Sequence, residues 1–413
     1  MLCSYGDRCT PARPAPRPWT FTGNEHSAMA FFELTGWPVF FAFTAAAVLL
    51  LAYTVLVLPR RRRPGVGKYV LQLVCVVLVV VLTLISVFLK MNMDNQWYSS
   101  WGDLFSNGGG AVSASSFGAA PAAAKALKDL PHQPFSAAQT DPIRNNKSFG
   151  SQVDPGSTSG QWVQFTLPGK ESGITQEATA WLPPSYTQDP QRAYPVITAF
   201  TGFPGDVRTY TKAMDIGQHI RSAVSEGTMR EAIVVIADVY PGNNDTECVD
   251  SNHGLWETYV SRDVVSWIRS NLRVSDDRDA WSTYGYSAGG WCSTMFTVRH
   301  PDVWSRSVNL AGYFTPMYSP GQQWKTRDPA SYDLARVVER EKPDVDIWFF
   351  SGGEDTISLK AIRAFAPSVS GPTGLSCNIS ESGGHRVALW AAQLDASLAW
   401  LGHTSPAFAP VPA

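Results

Sequence analysis

Residues 281–293 read WSTYGYSAGGWCS, and this stretch carries the clearest indication of the fold. Its apolar run predicts a strand that ends near Tyr286, and the residues that follow are typical of a helix. Between them lies the pattern G-x-S-x-G, formed by Gly285, Ser287 and Gly289. The glycines allow strand and helix to approach closely, which leaves the serine at a strained, accessible turn. The stretch therefore predicts an elbow with Ser287 as candidate nucleophile, and a plain glycine-rich turn is the alternative.

Short apolar runs that end in Gly, Asp or Ser recur around this elbow, alternating with helical patterns. The runs are WVQFTLP (162–168), ATAWLPP (178–184), YPVITAF (194–200), AIVVIAD (232–238), AWSTYGYS (280–287), SVNLAGY (307–313) and DIWFFSG (346–352). The helical patterns are LWETYVSRDVVSWIRSNL (255–272) and ALWAAQLDASLAWL (388–401). Such runs are typical of strands buried on both faces of a parallel sheet. Residues 161–404 are thus predicted to form a doubly wound α/β domain with a mostly parallel sheet.

Two uncharged apolar stretches precede this domain. They run from Trp37 to Leu58 and from Tyr69 to Leu89, and each is long enough to cross a hydrocarbon core of about 30 Å as a helix. The loop between them, residues 59–68, is basic and carries Arg60, Arg61, Arg62, Arg63 and Lys68. Because short basic loops stay in the cytoplasm, we expect a transmembrane hairpin in the plasma membrane with all later residues extracytoplasmic.

The remaining segments have the composition of tails and linkers. Residues 1–36 are rich in Pro and Arg, and residues 90–160 are rich in Gly, Ala, Ser and Pro. We expect a disordered tail and an extracytoplasmic tether there, and a second disordered tail over residues 405–413. The net charge of −2 offers no electrostatic case for a nucleic-acid partner.

A serine nucleophile needs a base, and the base needs an acid that orients it. On this fold the three follow in the order Ser, acid, His. Three histidines lie downstream of Ser287: His300 ends the helix after the elbow, His403 lies near the C-terminus, and His385 lies in the loop ESGGHRVALW (381–390). We predict His385 as the base. The acid is predicted in DIWFFSGGEDT, with Asp355 favoured and Glu354 as the alternative.

Acyl chemistry also needs N–H donors for an oxyanion. The elbow predicts the amide of Ala288 as one donor, and the loop TAFTGFPGD (198–206) predicts the second at Phe203 or Gly202. The chain has no H-E-x-x-H, no paired C-x-x-C and no phosphate loop, so we expect no metal and no organic cofactor.

Three cysteines lie in the predicted outer domain, at positions 248, 292 and 377. An oxidising compartment permits disulfides, and three thiols leave one unpaired. We favour a bridge between Cys248 and Cys292.

Three stretches resemble the esterase family of α/β-hydrolases that includes the secreted mycolyltransferases of mycobacteria. They are LWETYVSRDVVSWI (255–268), HPDVW (300–304) and GGHRVALWAAQL (383–394), and the resemblance covers residues 161–401. It implies Ser287 as nucleophile, His385 as base, a carboxylate at Asp355 or Glu354, and the amides of Phe203 and Ala288 as oxyanion hole. Mycolyltransferases carry tryptophan where this chain has Val387 and methionine where it has Ala288, so the resemblance implies serine chemistry rather than mycolyl chains.

The sequence therefore predicts a membrane-anchored serine esterase or acyltransferase that acts on an ester, acyl-lipid or acyl-sugar outside the membrane. Transfer of an acyl chain to a sugar or lipid alcohol is one alternative. A catalytically idle envelope-binding module with the same fold is the other.

Overall fold

The computed structural model describes residues 34–60, 65–95, 97–98, 100–105, 109–121, 123–141, 147–242 and 244–411. These residues divide after Ser86 into two compact units. Residues 1–33 of the predicted N-terminal tail lie outside the described residues, as do the three arginines at positions 61–63 of the predicted basic loop.

The N-terminal unit consists of apolar helix. Helix α1 (Trp37–Ala52) continues through a π-helical turn (Tyr53–Val57) and a 3₁₀ turn (Leu58–Arg60), and helix α2 (Val66–Asn95) runs across the division between the units. The continuous helical stretch of 24 residues, Trp37–Arg60, rises about 36 Å at about 1.5 Å per residue. Both helices are long and apolar enough to cross a membrane.

The second unit is an α/β domain. Its strands are β1 (Val112–Gly118), β2 (Gln161–Pro168), β3 (Thr175–Leu182), β4 (Val196–Phe200), β5 (Ile233–Ala237), β6 (Asp250–Ser251), β7 (Gly254–Leu255), β8 (Trp281–Tyr286), β9 (Arg306–Leu310), β10 (Asp346–Ser351) and β11 (Gly374–Ser380). Its further helices are α3 (Trp101–Phe105), α4 (Ala137–Thr140), α5 (Lys147–Gly150), α6 (Ile216–Ser225), α7 (Trp256–Thr258), α8 (Val265–Asn271), α9 (Ala288–Arg299), α10 (Leu334–Glu341), α11 (Thr356–Phe365), α12 (Val387–Ala391) and α13 (Leu394–Thr404). A π-helical turn (Tyr259–Val264) joins α7 to α8.

Nine of these strands form one sheet in the order β1-β11-β10-β9-β8-β4-β5-β3-β2. The six strands from β11 to β5 are parallel, and β1, β3 and β2 pair antiparallel at the edges. Every predicted strand is present. The doubly wound, mostly parallel sheet is therefore confirmed, and the carboxyl ends of its central strands meet at one edge, where such folds hold their sites.

The central strands are buried on both faces. On β4, Val196 and Phe200 belong to one hydrophobic cluster, while Ile197 and Ala199 belong to the cluster on the opposite face. Both faces must exclude water, so these strands are apolar without alternation. This burial holds the strand ends, and the loops that follow them, in fixed positions.

The segment predicted as a tether is part of the domain, so that prediction is corrected. Strand β1 pairs along its whole length with β11, from Val112 opposite Ser380 to Gly118 opposite Gly374. Further along the segment, Phe149 is fully buried in the core. The sequence does not predict β1, because VSASSFG consists mainly of small and polar residues and has no apolar periodicity. Main-chain pairing with a distant strand holds β1 in place.

The predicted C-terminal tail is also packed, as far as residue 409. Phe408 is fully buried. Its carbonyl accepts a hydrogen bond from the Arg230 amide at 2.9 Å, and the Arg230 Nε donates to the Ala409 carbonyl at 2.9 Å. The short SPAFAP sequence carries no periodicity that would have predicted this docking. The last two residues lie outside the described part of the chain.

A buried carboxylate ties α7 to the end of α9. The Glu257 carboxylate accepts hydrogen bonds from Arg299 Nε at 2.7 Å, His300 Nε2 at 2.8 Å and the Tyr332 hydroxyl at 2.5 Å. Burial raises the pKa of Glu257, but these partners outweigh it and lower the pKa to about 2. His300 is the C-cap of α9, as predicted.

Replacing Glu257 by glutamine should remove part of the acid sensitivity of folding. A pKa held below its unfolded value stabilises the fold above the unfolded pKa, and this stability is lost as pH falls through the folded pKa. The fall from 4.5 to about 2 corresponds to about 3 kcal/mol, lost between about pH 4.5 and pH 2. Urea unfolding at several pH values measures how the free energy of unfolding depends on pH. Glu257→Gln should be less stable at pH 7 and show a shallower decline in acid. The exposed Glu226→Gln is the matched control, and an unchanged pH slope in Glu257→Gln would contradict the assignment.

Candidate active site

The elbow has the geometry that its glycines predict. Ser287 follows β8 directly and has φ 56° and ψ −125°, a backbone conformation that costs about 1–3 kcal/mol. A β-carbon on Gly285 would lie 1.8 Å from the Gly289 carbonyl oxygen, and one on Gly289 would lie 2.2 Å from the Phe200 carbonyl oxygen. The close approach of β8, α9 and β4 therefore excludes side chains at both positions. The Ser287 amide donates to Leu310 at 2.8 Å, which fixes the turn on β9.

Three predicted residues form one hydrogen-bonded chain. His385 Nε2 lies 2.7 Å from Ser287 Oγ, and His385 Nδ1 lies 2.6 Å from Asp355 Oδ2. A carboxylate can only accept, so Nδ1 carries the hydrogen, and in neutral imidazole Nε2 is then free to accept from the serine hydroxyl. The arrangement can remove a proton from Ser287 and stabilise the imidazolium that results.

The two adjacent candidate acids make different contacts. Asp355 ends the turn after β10, is fully buried, and also accepts from the Ser358 amide at 3.1 Å as the N-cap of α11. Glu354 points elsewhere, because its Oε2 accepts from the Gly383 amide at 3.0 Å. Asp355 therefore contacts the imidazole, whereas Glu354 holds the backbone of the histidine loop.

The environment keeps Asp355 ionised. Burial raises the pKa of its carboxyl, but the nearby His385 and the hydrogen bonds from His385 and Ser358 outweigh burial and hold the pKa below its ordinary value. A charged carboxylate at this position can hold the ring in the orientation and tautomer that accept a proton from Ser287.

The loop after β4 passes beside the nucleophile. A β-carbon on Gly202 would lie 2.8 Å from the Tyr286 ring and 3.0 Å from Ser287 Cβ. Phe203, which follows, packs its ring 5.4 Å from that of Tyr240. Ala288 is the first residue of α9, where backbone N–H groups have no partner within the helix. The predicted donors Gly202 and Ala288 thus belong to backbone that adjoins Ser287, and Phe203 is the next residue after Gly202.

Two contacts of the histidine loop were not predicted. Trp390 meets the His385 ring edge-to-face at 4.9 Å and stacks on Tyr286 at 5.0 Å. Asp103, from the segment predicted as a tether, accepts a hydrogen bond from the Gly384 amide at 3.2 Å. Sequence spacing can signal Trp390, which lies on the helix after the loop. It cannot signal Asp103, which is nearly 300 residues away from His385.

A disulfide fastens the helix that carries the elbow. It joins Cys248, in the loop after β5, to Cys292 of α9. Beside it, Trp291 Nε1 donates to the Glu247 carbonyl at 2.8 Å. Cys377 is a buried free thiol in β11. The loop after β5 is therefore bound covalently to the elbow helix at Cys248.

Loss of this bridge should destabilise the domain. The sequence separation is 44 residues, for which chain entropy gives about 4 kcal/mol, and measured bridges typically contribute about 2–4 kcal/mol. We expect the double variant Cys248→Ser/Cys292→Ser to lose stability in this range in urea titrations. Reduced wild type is the matched control and should unfold at the same midpoint. Equal stability of the oxidised wild type and the double variant would contradict the bridge.

A mostly parallel sheet with a serine elbow, and with an acid and a histidine in that order on later loops, defines the α/β-hydrolase class. Two solved structures share this fold. A ferulic acid esterase has a TM-score of 0.51 and 20% identity, covering 59% of this chain and 97% of its own. An S-formylglutathione hydrolase from Agrobacterium tumefaciens has a TM-score of 0.50 and 17% identity, covering 59% of this chain and 95% of its own.

Residues 175–401 match the family described as "Putative esterase", and the chain belongs to that family. It is also 25% identical over 267 residues to an uncharacterized protein of Corynebacterium glutamicum, a match that covers 59% of this chain and 62% of the relative. The chain thus spans less than two thirds of this relative's length. Family membership supports hydrolase activity on an ester.

Proposed function

We propose that this protein is a membrane-anchored serine esterase or acyltransferase whose active site faces away from the cytoplasm. The observation that carries the proposal is the hydrogen-bonded chain from Ser287 through His385 to Asp355. The three groups come from three different loops. A glycine-rich turn without enzymatic function would not need an imidazole between a serine hydroxyl and a buried carboxylate.

In the proposed reaction, Ser287 Oγ attacks the ester carbonyl carbon while His385 Nε2 accepts the hydroxyl proton. The amides of Ala288 and Phe203 donate to the oxyanion of the tetrahedral intermediate. His385 returns the proton to the departing alcohol, which leaves an acyl group on Ser287. A water molecule or an acceptor hydroxyl, deprotonated by His385, then releases the acyl group.

The proposed orientation rests on charge and on the disulfide. Arg60 and Lys68 flank the loop between the two apolar helices, and short basic loops stay in the cytoplasm. The domain that follows α2 would then lie outside the membrane. A bridge between Cys248 and Cys292 suits that side, because cytoplasmic thiols are kept reduced.

The test is turnover by the full-length chain in detergent micelles. With p-nitrophenyl butyrate we expect a burst of p-nitrophenol, from formation of the acyl-enzyme, and then a slower steady state. Added glycerol or trehalose distinguishes the two ways in which the acyl-enzyme can react further. A transferase forms the acylated alcohol, and a hydrolase releases butyrate. If the chain shows no burst and no turnover with either short- or long-chain esters, that result would favour the idle binding module.

A further inference from the structure

Asp103 is a buried acid on a short helix whose neighbours are exposed. Its side chain is 1% exposed, whereas Trp101 and Phe105 of the same helix α3 are 38% and 83% exposed. A carboxylate loses its hydration when buried and is retained only where partners replace it. The partners of Asp103 therefore indicate why this acid lies inside the domain.

Those partners bracket the histidine of the candidate site. Asp103 Oδ2 accepts from the Gly384 amide at 3.2 Å, and Asp103 Oδ1 accepts from Arg386 Nη2 at 2.7 Å. Arg386 Nη1 also donates to the Asp103 carbonyl at 3.2 Å. One side chain thus holds the residue before His385 and the residue after it.

Contacts also connect Arg386 to the C-terminal end of α2. The Arg386 guanidinium lies 5.0 Å from the centre of the Tyr98 ring. The Tyr98 amide donates to Asn92 Oδ1 and Asn92 Nδ2 donates to the Tyr98 carbonyl, both at 2.8 Å. The ring of Phe88 in α2 packs near the Tyr98 ring, with 6.2 Å between the two ring centres. The last turns of α2, the segment that follows and the histidine loop therefore form one connected set of contacts.

We propose that Asp103 is a positioning residue for His385, which makes the segment that follows α2 part of the active site rather than a tether. The inference rests on the proposed function, because it assigns Asp103 an effect through the base of the triad. Asp103 does not touch the reacting atoms; it sets the position of the loop from which the imidazole reaches both Ser287 and Asp355.

Removal of the carboxylate should displace this loop. The Arg386 side chain is only 10% exposed, and an arginine that loses its buried partner moves toward water because an unpaired buried charge is unfavourable. An asparagine at position 103 keeps only one acceptor oxygen, so it can no longer accept from both the Gly384 amide and Arg386 Nη2. A misplacement of about 1 Å in a catalytic group can lower the rate about 100-fold.

The experiment compares Asp103→Asn with wild type in the full-length chain in detergent micelles. Three quantities are measured: the fraction of chains that a fluorophosphonate finally labels, and the kcat per labelled chain and the KM for p-nitrophenyl butyrate. We expect kcat to fall about 10- to 100-fold while KM and the final labelled fraction stay near wild type. Arg386→Lys keeps a cation beside Asp103 and should retain more activity than Arg386→Gln. Asp94→Asn is the matched control, because Asp94 is an exposed acid near the end of α2 that pairs with Lys90.

Two results would overturn the inference. In the first, Asp103→Asn keeps the kcat of Asp94→Asn. In the second, its activity falls only in proportion to the labelled fraction, which would make Asp103 a determinant of folding alone. Failure of the proposed function looks different, because wild type itself would then neither label nor turn over.

Discussion

Replacing Ser287 by alanine is expected to lower kcat for ester hydrolysis by about 10⁴- to 10⁶-fold. The variant removes the one oxygen that lies 2.7 Å from His385 Nε2 and leaves the imidazole and its carboxylate in place. The residual rate would come from water activated by His385 and from the oxyanion donors alone. The effect is measured by initial rates with p-nitrophenyl butyrate, at enzyme concentrations high enough to detect the residual activity.

Ser293→Ala is the matched control for this variant. Ser293 is a buried serine on the same helix, and its hydroxyl donates to the Val308 carbonyl at 2.9 Å. We expect this variant to lose stability but to keep kcat within about ten-fold of wild type, because its hydroxyl contacts no reacting group. A Ser287→Ala variant that kept wild-type kcat would contradict Ser287 as nucleophile.

Replacing Asp355 by asparagine has the second largest expected effect, a loss of about 10³- to 10⁴-fold in kcat. An asparagine keeps an oxygen that can cap α11 at Ser358, but it removes the charge that stabilises the imidazolium and favours the wrong imidazole tautomer. The bond of 2.6 Å from His385 Nδ1 is the contact that changes. Because the loss concerns the transition state, kcat should fall with little change in KM.

Glu354→Gln distinguishes the two candidate acids. Glutamine keeps an oxygen that can accept from the Gly383 amide, the contact that Glu354 makes at 3.0 Å. We expect this variant to lose less than about ten-fold in kcat. The reverse order of effects, a severe loss in Glu354→Gln and a mild one in Asp355→Asn, would assign the acid to Glu354.

Local patterns predicted most of the sheet and the elbow. Continuous apolar runs such as IVVIA (233–237) mark strands buried on both faces, because both layers of helices exclude water from them. Glycines on both sides of Ser287 marked the turn, because no other residue fits between β8 and α9. The order of acid and histidine then followed from the topology of the class.

The features that the sequence did not predict depend on long-range contacts. Strand β1 needs β11, more than 250 residues later, and the docking of Phe408 needs Arg230. Loop spacing favours Asp355 over Glu354, whereas the contact of Asp355 with His385 depends on how two separate loops meet. Asp103 lay in a segment whose composition resembles a linker, and its role is visible only where Gly384 and Arg386 converge on it.

Ser287 is tested as the nucleophile by mapping the adduct that a fluorophosphonate forms on the full chain. The probe bonds its phosphorus to an activated serine oxygen and releases fluoride, so peptide mass spectrometry can identify the modified residue. The proposed role of Ser287 predicts one adduct, on the peptide that contains this residue, abolished in Ser287→Ala and formed far more slowly in His385→Ala. An unmodified wild type, or an adduct on another serine that persists in Ser287→Ala, would contradict it.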